Sequence, residues 1–87
     1  MATKYNMRII PKKGTAYNPV HEDADNTTAV IIDLTIGERG WIAYMPSDTV
    51  DYWSRLHLST IEKINVGENG EIEVVTRNTH YFFTPLS

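Results

Sequence analysis

The part of the chain that decides the fold spans residues 55–83 and reads R-L-H-L-S-T-I-E-K-I-N-V-G-E-N-G-E-I-E-V-V-T-R-N-T-H-Y-F-F. Ile64 and Val66 precede a segment rich in glycine and asparagine, and Ile72 and Val74 follow it. Apolar residues at every second position are typical of a strand with one buried face. The pattern therefore predicts two strands joined by a turn.

The register of this hairpin follows from which residues must share a face. A two-residue loop would place Val66 opposite Glu73 and mix apolar with charged surface. A three-residue loop that ends at Gly70 instead pairs Val66 with Ile72. Such a loop places its glycine in the left-handed conformation that closes a type I turn with a bulge. We therefore predict the second register.

The rest of the stretch favours a closed sheet. The aromatic run His80-Tyr81-Phe82-Phe83 leaves neither side of its strand polar, so both sides need cover. Ile61 lies three residues before Ile64 and breaks the alternation, which predicts a bulge or bend within residues 59–63. A bend of this kind lets one strand pass from one side of a small barrel to the other.

The two faces of the stretch differ in how firmly they are assigned. The even-numbered apolar residues are predicted to be core: Leu56, Leu58, Ile64, Val66, Ile72, Val74 and Phe82. On the odd face, Val75, Tyr81 and Phe83 must be covered either by the first strands of the chain or by a partner.

Three further strands are predicted upstream. Tyr5, Met7 and Ile9 alternate with polar residues up to Pro11, which indicates an edge strand. Residues 28–36 form the strongest strand, for which we predict a central position. Its buried face is predicted to contain Val30, Ile32, Leu34 and Ile36. A three-residue loop ending at Gly40 would then pair Ile36 with Ile42 and Leu34 with Tyr44, leaving Trp41 on the opposite face.

Between these strands, residues 11–27 are rich in Gly, Pro, Asn and Asp and are predicted to form a long loop without regular structure. After Met45, Ser47 is a candidate N-cap for one short helical turn.

The fold prediction is a mainly β protein with a single domain at 1–87. The expected architecture is a small antiparallel barrel, SH3-like or related, with six or seven short strands and at most one short helical turn.

Composition limits the classes of function. The chain has a formal net charge of −3, which gives no general attraction to nucleic acid, and it has no cysteine for a disulfide or a thiolate zinc site. Residues 1–20 contain no long apolar run and no signal-peptide pattern. We therefore expect a soluble, cytoplasmic protein that does not enter a membrane and holds no cofactor.

Catalysis and metal binding have weak sequence signals. His21, His57 and His80 are far apart and have no cysteine to complete a zinc spacing. The acidic run that includes Asp23 and Asp25 lacks the glycine and the glutamate of a calcium-binding loop. We expect neither a catalytic residue nor a metal site.

Partner binding is the favoured function. Tryptophan and tyrosine flanked by charged residues are the composition of interface hot spots. The residues predicted to bind a partner lie in three segments: Tyr17, His21, Asp23 and Asp25; Glu38, Arg39 and Trp41; and Tyr52 and Trp53. The partner is expected to be another protein, with a homodimer contact as an alternative. So small a barrel suits an accessory or inhibitory protein of the kind that phages and mobile elements encode.

The alternative function is nucleic-acid binding, because small barrels often combine exposed aromatic rings with a basic groove. The candidate stacking residues are Trp41, Tyr44, Trp53 and Tyr81. The candidate phosphate-binding residues are Lys4, Arg8, Lys12, Lys13 and Arg55.

Overall fold

The structure is a computed structural model that describes residues 3–16, 18–46 and 52–86. Most of the described residues belong to strands, joined by short connections, and one short helix precedes the second strand. The elements are β1 (Lys4–Pro11), α1 (Pro19–Ala24), β2 (Thr27–Asp33), β3 (Arg39–Met45), β4 (Ser54–Val66), β5 (Ile72–Thr76) and β6 (Thr79–Pro85).

The six strands form a closed antiparallel barrel in which neighbours along the chain are neighbours in the sheet, and β6 returns to pair with β1. The predicted small antiparallel barrel with one short helical piece is confirmed. The prediction that β1 is an edge strand is wrong, because closure pairs β1 with both β2 and β6. Closure leaves no row of unpaired backbone groups along a sheet edge.

The hairpin between β4 and β5 has the predicted register. Val66 pairs with Ile72, and Ile64 pairs with Val74. Gly70 has a φ of +84°, in the left-handed region that closes the turn. The local pattern of apolar residues and the turn glycine were therefore sufficient to specify this pairing.

The predicted bend in the fourth strand is also confirmed. The pairing of β4 with β5 shifts register between Ile61 and Lys63. The residues of β4 before this point pair with β3, and those after it pair with β5. A long strand bent in this way contributes to two sides of the barrel.

The core is covered from within the chain. It contains Met7, Ile9, Ala24, Ala29, Ile42, Tyr44, Leu56, Leu58, Ile61, Val74, Tyr81 and Phe83. On β6 the odd-numbered face points inward, because Tyr81 pairs with Ile9 and Phe83 pairs with Met7. Of the two coverings considered, the first strand of the chain supplies the cover for Tyr81 and Phe83, whereas Val75 points outward from β5 and is half-buried.

Two residues assigned to the core are outside it. Phe82 lies between the buried Tyr81 and Phe83 and therefore points outward, where it is half-buried. Val66 is 71% exposed because it lies at the end of β4, beside the hairpin turn. Ile64 and Ile72 are partly buried and pack against the core as expected.

The predicted pairing of β2 with β3 is wrong. Ile31 pairs with Ile42 and Ala29 pairs with Tyr44, so Ala29 and Ile31 face inward. Ile32 and Ile36, assigned to the buried face, are 55% and 60% exposed. The physical reason is a register shift between Ile31 and Asp33, followed by a connection at residues 34–38 that is longer than the predicted loop.

The glycine that was expected to form this turn has a packing role instead. A Cβ at Gly40 would lie 2.9 Å from Ile61 Cδ1 and 3.1 Å from Leu34 Cδ2. Gly40 therefore allows these side chains to pack against the backbone of β3. The left-handed conformation in the connection belongs to Gly37, with a φ of +89°.

The prediction that residues 11–27 lack regular structure is wrong for α1. Asn18 caps this helix, because the Val20 amide donates a hydrogen bond of 3.0 Å to Asn18 Oδ1, and Pro19 occupies its first turn. Ala24 is buried in the core and fixes the helix against β1. The helical turn predicted after Met45 falls on residues 47–51, outside the described residues.

Candidate functional site

One outer side of the barrel carries mostly apolar and cationic side chains. On β3, Ile42 and Tyr44 are buried, so Trp41, Ala43 and Met45 point outward. Together with the outward residues of the two neighbouring strands they form what we name the apolar face. Its members are Thr28, Val30 and Asp33 from β2, Trp41, Ala43 and Met45 from β3, and Arg55 and His57 from β4.

Strand pairing places these residues in rows across the barrel. In one row, Ala43 lies between Val30 and Arg55. In the next row, Trp41 lies between Asp33 and His57. The rows come from three strands that are hydrogen-bonded to one another, so the positions of these side chains are set by the rigid sheet.

Trp41 is the centre of a group of aromatic and cationic side chains. The rings of Trp41 and His57 lie against each other, with their planes tilted by 43°. The Arg55 guanidinium carbon lies 6.0 Å from the centroid of the Trp41 ring, within the range of a cation–π interaction. Arg39 Nε donates a hydrogen bond of 3.1 Å to the carbonyl oxygen of Leu58.

The electrostatics of this group follow from the same contacts. Partial desolvation, and then the neighbouring Arg39 guanidinium, lower the pKa of His57 below its ordinary value of 6.5. His57 is therefore mainly neutral near pH 7, which suits its contact with the Trp41 ring. The permanent positive charges of the site belong to Arg39 and Arg55.

Two exposed aromatic residues extend the site along β4. Tyr52 is 56% exposed and Trp53 is 43% exposed, and they directly precede the strand. Because Tyr44 pairs with Ser54, continuing the same register by one residue places Trp53 opposite Met45. The apolar surface therefore continues from Trp41 toward the start of β4.

The residues predicted to bind a partner fall into two groups. Glu38 lies in the connection before β3, Arg39 and Trp41 lie in that strand, and Tyr52 and Trp53 precede β4. Trp41 belongs to the apolar face, and Glu38, Arg39, Tyr52 and Trp53 are close to it along the chain. His21 and Asp23 belong to α1, and Asp25 follows it as the C-cap. Tyr17 lies outside the described residues.

The residues of the α1 group are engaged with the barrel itself. His21 Nε2 lies 3.2 Å from the Tyr81 hydroxyl, and burial lowers the pKa of His21. Burial raises the pKa of Tyr81 to about 12. Asp25 Oδ1 accepts hydrogen bonds from the Ile9 amide at 2.8 Å and from Arg8 Nε at 3.1 Å. These contacts hold α1 against the barrel.

A shallow cleft of about 380 Å³ lies beside α1, lined by Ile9, Pro11, Thr15, Ala16, Asn18, His21, Glu22 and Asp25.

Asp23 of this helix is electrostatically coupled to the other group of predicted residues. Burial raises the pKa of Tyr44, and the carboxylate of Asp23 and the neighbouring Tyr52 raise it further. Asp23 and Tyr52 therefore lie near the same hydroxyl group.

The opposite outer side of the barrel, which we name the polar face, consists of the outward residues of β1, β5, β6 and the second half of β4. Its members include Arg8, Ile10, Lys63, Asn65, Glu73, Val75, His80 and Phe82. Asn65 Nδ2 donates to Glu73 Oε1 at 3.1 Å, and His80 Nδ1 lies 3.0 Å from Glu73 Oε2. The hydrogen bonds from Asn65 and His80 lower the pKa of Glu73.

The structure limits the chemistry of the described residues. Within residues 3–16, 18–46 and 52–86, no three His, Asp or Glu side chains are grouped so that they could hold a metal ion. Of the residues considered for stacking nucleic-acid bases, Tyr44 and Tyr81 are buried in the core. Of those considered for binding phosphate, Arg8 pairs with Asp25, and Lys12 Nζ lies 3.9 Å from Glu62 Oε1.

Sequence reasoning missed part of the apolar face. His57 and Arg55 alternate with the buried Leu56 and Leu58, so their outward direction was readable from the sequence. Their contact with Trp41 depends on the register between β3 and β4, for which the sequence contains no local signal. Arg55 was named only as a candidate for binding phosphate. The other residues that were missed are Thr28, Val30, Asp33, Ala43 and Met45.

Comparison of the chain with protein-family models, with curated proteins and with solved structures found no match. Among the helical residues that the structure describes, no segment has the length and apolar character needed to cross a membrane.

Proposed function

We propose that this chain is a non-enzymatic binding module, an accessory or inhibitory protein that contacts another protein through the apolar face. The observation that carries the proposal is the group formed by Trp41, His57 and Arg55 on rigid, neighbouring strands. Protein interfaces are enriched in aromatic residues, methionine and arginine, and depleted in lysine and glutamate. Trp41, Met45 and Arg55 follow this pattern, whereas Asp33 and Ala43 belong to residue types that interfaces contain less often.

The architecture supports side-chain recognition. In the closed barrel, each described strand pairs with two neighbours, so none is an edge strand to which a partner could add along its full length. Recognition therefore depends on side chains that project from the sheet. Because these side chains stand on paired strands, binding orders few additional groups and loses little conformational entropy.

The size of the available surface suits such a contact. Trp41, Ala43 and Met45 are half-buried in the free chain, and Trp53 and Ile32 are more exposed. Removing apolar surface from water contributes about 25 cal/mol for each Å² that a partner covers. Trp41 and Trp53 present the largest rings and are therefore the expected hot spots.

The test uses two matched variants. Ala43 lies in the middle of the apolar face and Val75 in the middle of the polar face, and both are half-buried outward residues. Ala43→Gln places a longer polar side chain in the proposed interface without adding a charge, so its effect does not depend on the charge of the partner. Val75→Gln makes the corresponding change on the opposite side.

The wild-type chain and both variants are used as baits for affinity capture from the native host, with mass spectrometry as the readout. We expect a protein that the wild type and Val75→Gln retain and that Ala43→Gln loses. Thermal unfolding of each bait controls for folding. A captured protein that is lost with Val75→Gln and retained with Ala43→Gln would contradict the proposal, and so would capture of no protein by the wild type.

A further inference from the structure

The charges around Trp41 indicate the chemistry of the partner. Arg55 lies above the Trp41 ring, and Arg39 lies close enough to His57 to lower its pKa. The acidic residue of the apolar face, Asp33, accepts a hydrogen bond of 3.1 Å from the Thr35 hydroxyl. We infer that the contacting segment of the partner is acidic, with carboxylates placed around an apolar side chain. This inference rests on the proposed function.

The positive charge of Arg55 is not neutralised within the described part of the chain. No carboxylate of residues 3–16, 18–46 or 52–86 forms an ion pair with it. By contrast, Arg8 and Lys12 have carboxylate partners in Asp25 and Glu62. The chain has a formal net charge of −3, so a cationic group on this face runs against its overall charge.

The arrangement of side chains indicates where the carboxylates would lie. Ala43 lies between Trp41 and Met45 on the strand, and its side chain is only a methyl group. The surface therefore has a depression at Ala43 between the two larger side chains. An apolar side chain of the partner fits this position, flanked by Val30 on one side and Arg55 on the other. A carboxylate one or two residues away in the partner then meets the guanidinium of Arg55, which offers paired N–H donors.

Other occupants fit the face less well. The His57 ring already lies against Trp41, which reduces the ring surface available for stacking a base. Of the lysines that could continue a phosphate-binding track, Lys12, Lys13 and Lys63 lie elsewhere, and Lys4 alone borders this face, where it pairs with Val30.

The test uses three synthetic peptides of one design, in which phenylalanine and leucine alternate with glutamate, with glutamine or with lysine. Binding to the full chain is measured by fluorescence anisotropy at low salt and at about 0.15 M salt, where screening becomes effective over about 8 Å. We expect the glutamate peptide to bind at least about tenfold more tightly than the glutamine peptide. The reason is that one well-placed ion pair at a desolvated site increases affinity by about this factor.

The matched variants reverse one charge on each face. Arg55→Glu is expected to weaken binding of the glutamate peptide at least about tenfold, while Lys63→Glu on the polar face changes it less than about twofold. Ala43→Gln is expected to weaken binding of the glutamate and glutamine peptides alike, because it obstructs the apolar position that both use. Circular dichroism of each variant confirms that the barrel is intact.

The outcomes separate this inference from the proposed function. Equal affinity for the glutamate and glutamine peptides, with both weakened by Ala43→Gln, overturns the acidic partner and leaves the protein-binding face in place. Peptide binding that Ala43→Gln leaves unchanged, or no binding of any peptide, overturns both. Two other outcomes overturn the inference by identifying a different occupant. One is a single-stranded oligonucleotide that binds more tightly than the glutamate peptide and loses affinity in Arg55→Glu. The other is a dimer, detected by sedimentation, that Ala43→Gln dissociates.

Discussion

The two outer faces of this barrel are built on one core and differ in how their polar groups are used. On the polar face, Glu73 accepts hydrogen bonds from Asn65 and His80, and the Phe82 ring stacks beside His80 with centroids 6.2 Å apart. On the apolar face, Trp41 contacts His57 and Arg55, and the guanidinium of Arg55 has no carboxylate partner among the described residues.

The difference bears on which side of the barrel a partner can use. A partner that binds the polar face must displace hydrogen bonds that are already formed, and leaving a polar group unsatisfied costs about 1–3 kcal/mol. A partner that binds the apolar face covers apolar surface and can supply Arg55 with a counter-charge that the described residues do not provide. Similar alternation on all strands therefore produces one face whose polar groups bond to one another and one face that is largely apolar around Trp41.

The largest expected effect is on binding. Trp41→Ala is expected to weaken binding of the captured partner or of the glutamate peptide by at least about 2 kcal/mol, which corresponds to about 30-fold in affinity. Phe82→Ala removes an aromatic ring from the polar face and is expected to change affinity by less than about twofold. Isothermal titration calorimetry measures both. Equal losses in the two variants would show that the two faces do not differ as binding surfaces.

The next effect concerns the contact that positions β3. Gly40→Ala is expected to lower the free energy of unfolding by about 1–3 kcal/mol, as overpacking of a core does. The reason is that the new Cβ would lie 2.9 Å from Ile61 Cδ1. Urea denaturation measures the change.

The control for this contact is a double-mutant cycle. Ile61→Val removes the Cδ1 atom, so the combined loss in Gly40→Ala with Ile61→Val is expected to be smaller than the sum of the two single losses. Additive losses would mean that the contact between these residues does not determine the position of β3.

A smaller effect tests the hydrogen bonds of the polar face. Glu73→Gln is expected to lower stability near neutral pH by about 0.2–1 kcal/mol, the range of a partly exposed ion pair. Because the hydrogen bonds from Asn65 and His80 hold the pKa of Glu73 below its ordinary value of 4.5, this stability is present above pH 4.5. It is lost as the pH falls below 4.5 through the lowered pKa of the folded state.

Denaturation of the wild type and of Glu73→Gln as a function of pH measures this contribution. The groups that face Glu73 are Asn65 and Lys63 on β4 and His80 on β6, and Asn65→Ala is expected to raise the pKa of Glu73 toward its ordinary value. A stability difference between wild type and Glu73→Gln that stays constant from neutral to acid pH would refute the role assigned to this carboxylate.

The smallest expected effect is the change in the free energy of unfolding when an exposed isoleucine is substituted. Ile32 lies beside Asp33 at the edge of the apolar face, and Ile10 lies on the polar face; both are exposed. Substituting either by lysine is expected to change the free energy of unfolding by less than about 0.5 kcal/mol. Binding of a hydrophobic dye is expected to fall more with Ile32→Lys than with Ile10→Lys. The reverse order would mean that the larger apolar surface is on the other side.

Several parts of the fold were predictable because their signals are local. The pairing of Val66 with Ile72 follows from alternation on both sides of a turn that ends at a left-handed glycine, Gly70. The bend in β4 follows from the spacing of Ile61 and Ile64, which cannot share a face in a straight strand. Each of these inferences needs only residues that are close together in the sequence.

Two of the predictions that failed concern segments that are apolar on both sides. In β2, Val30, Ile31 and Ile32 follow one another, so alternation does not determine which of them faces inward. In β6, the core position of Phe83 instead of Phe82 depends on pairing with Met7, far away in the chain. Barrel closure decides both cases, because it determines which face of each strand the other strands can cover.

The sequence alone therefore determined that the chain forms a small antiparallel barrel, and it identified Trp41 and Trp53 as candidates for binding. Only the tertiary structure decided that Trp41 contacts His57 and Arg55, and that the residues of α1 hold the helix against the barrel. The physical reason is that turns and alternation act over a few residues, whereas the composition of a face depends on the register between strands that meet only when the barrel closes.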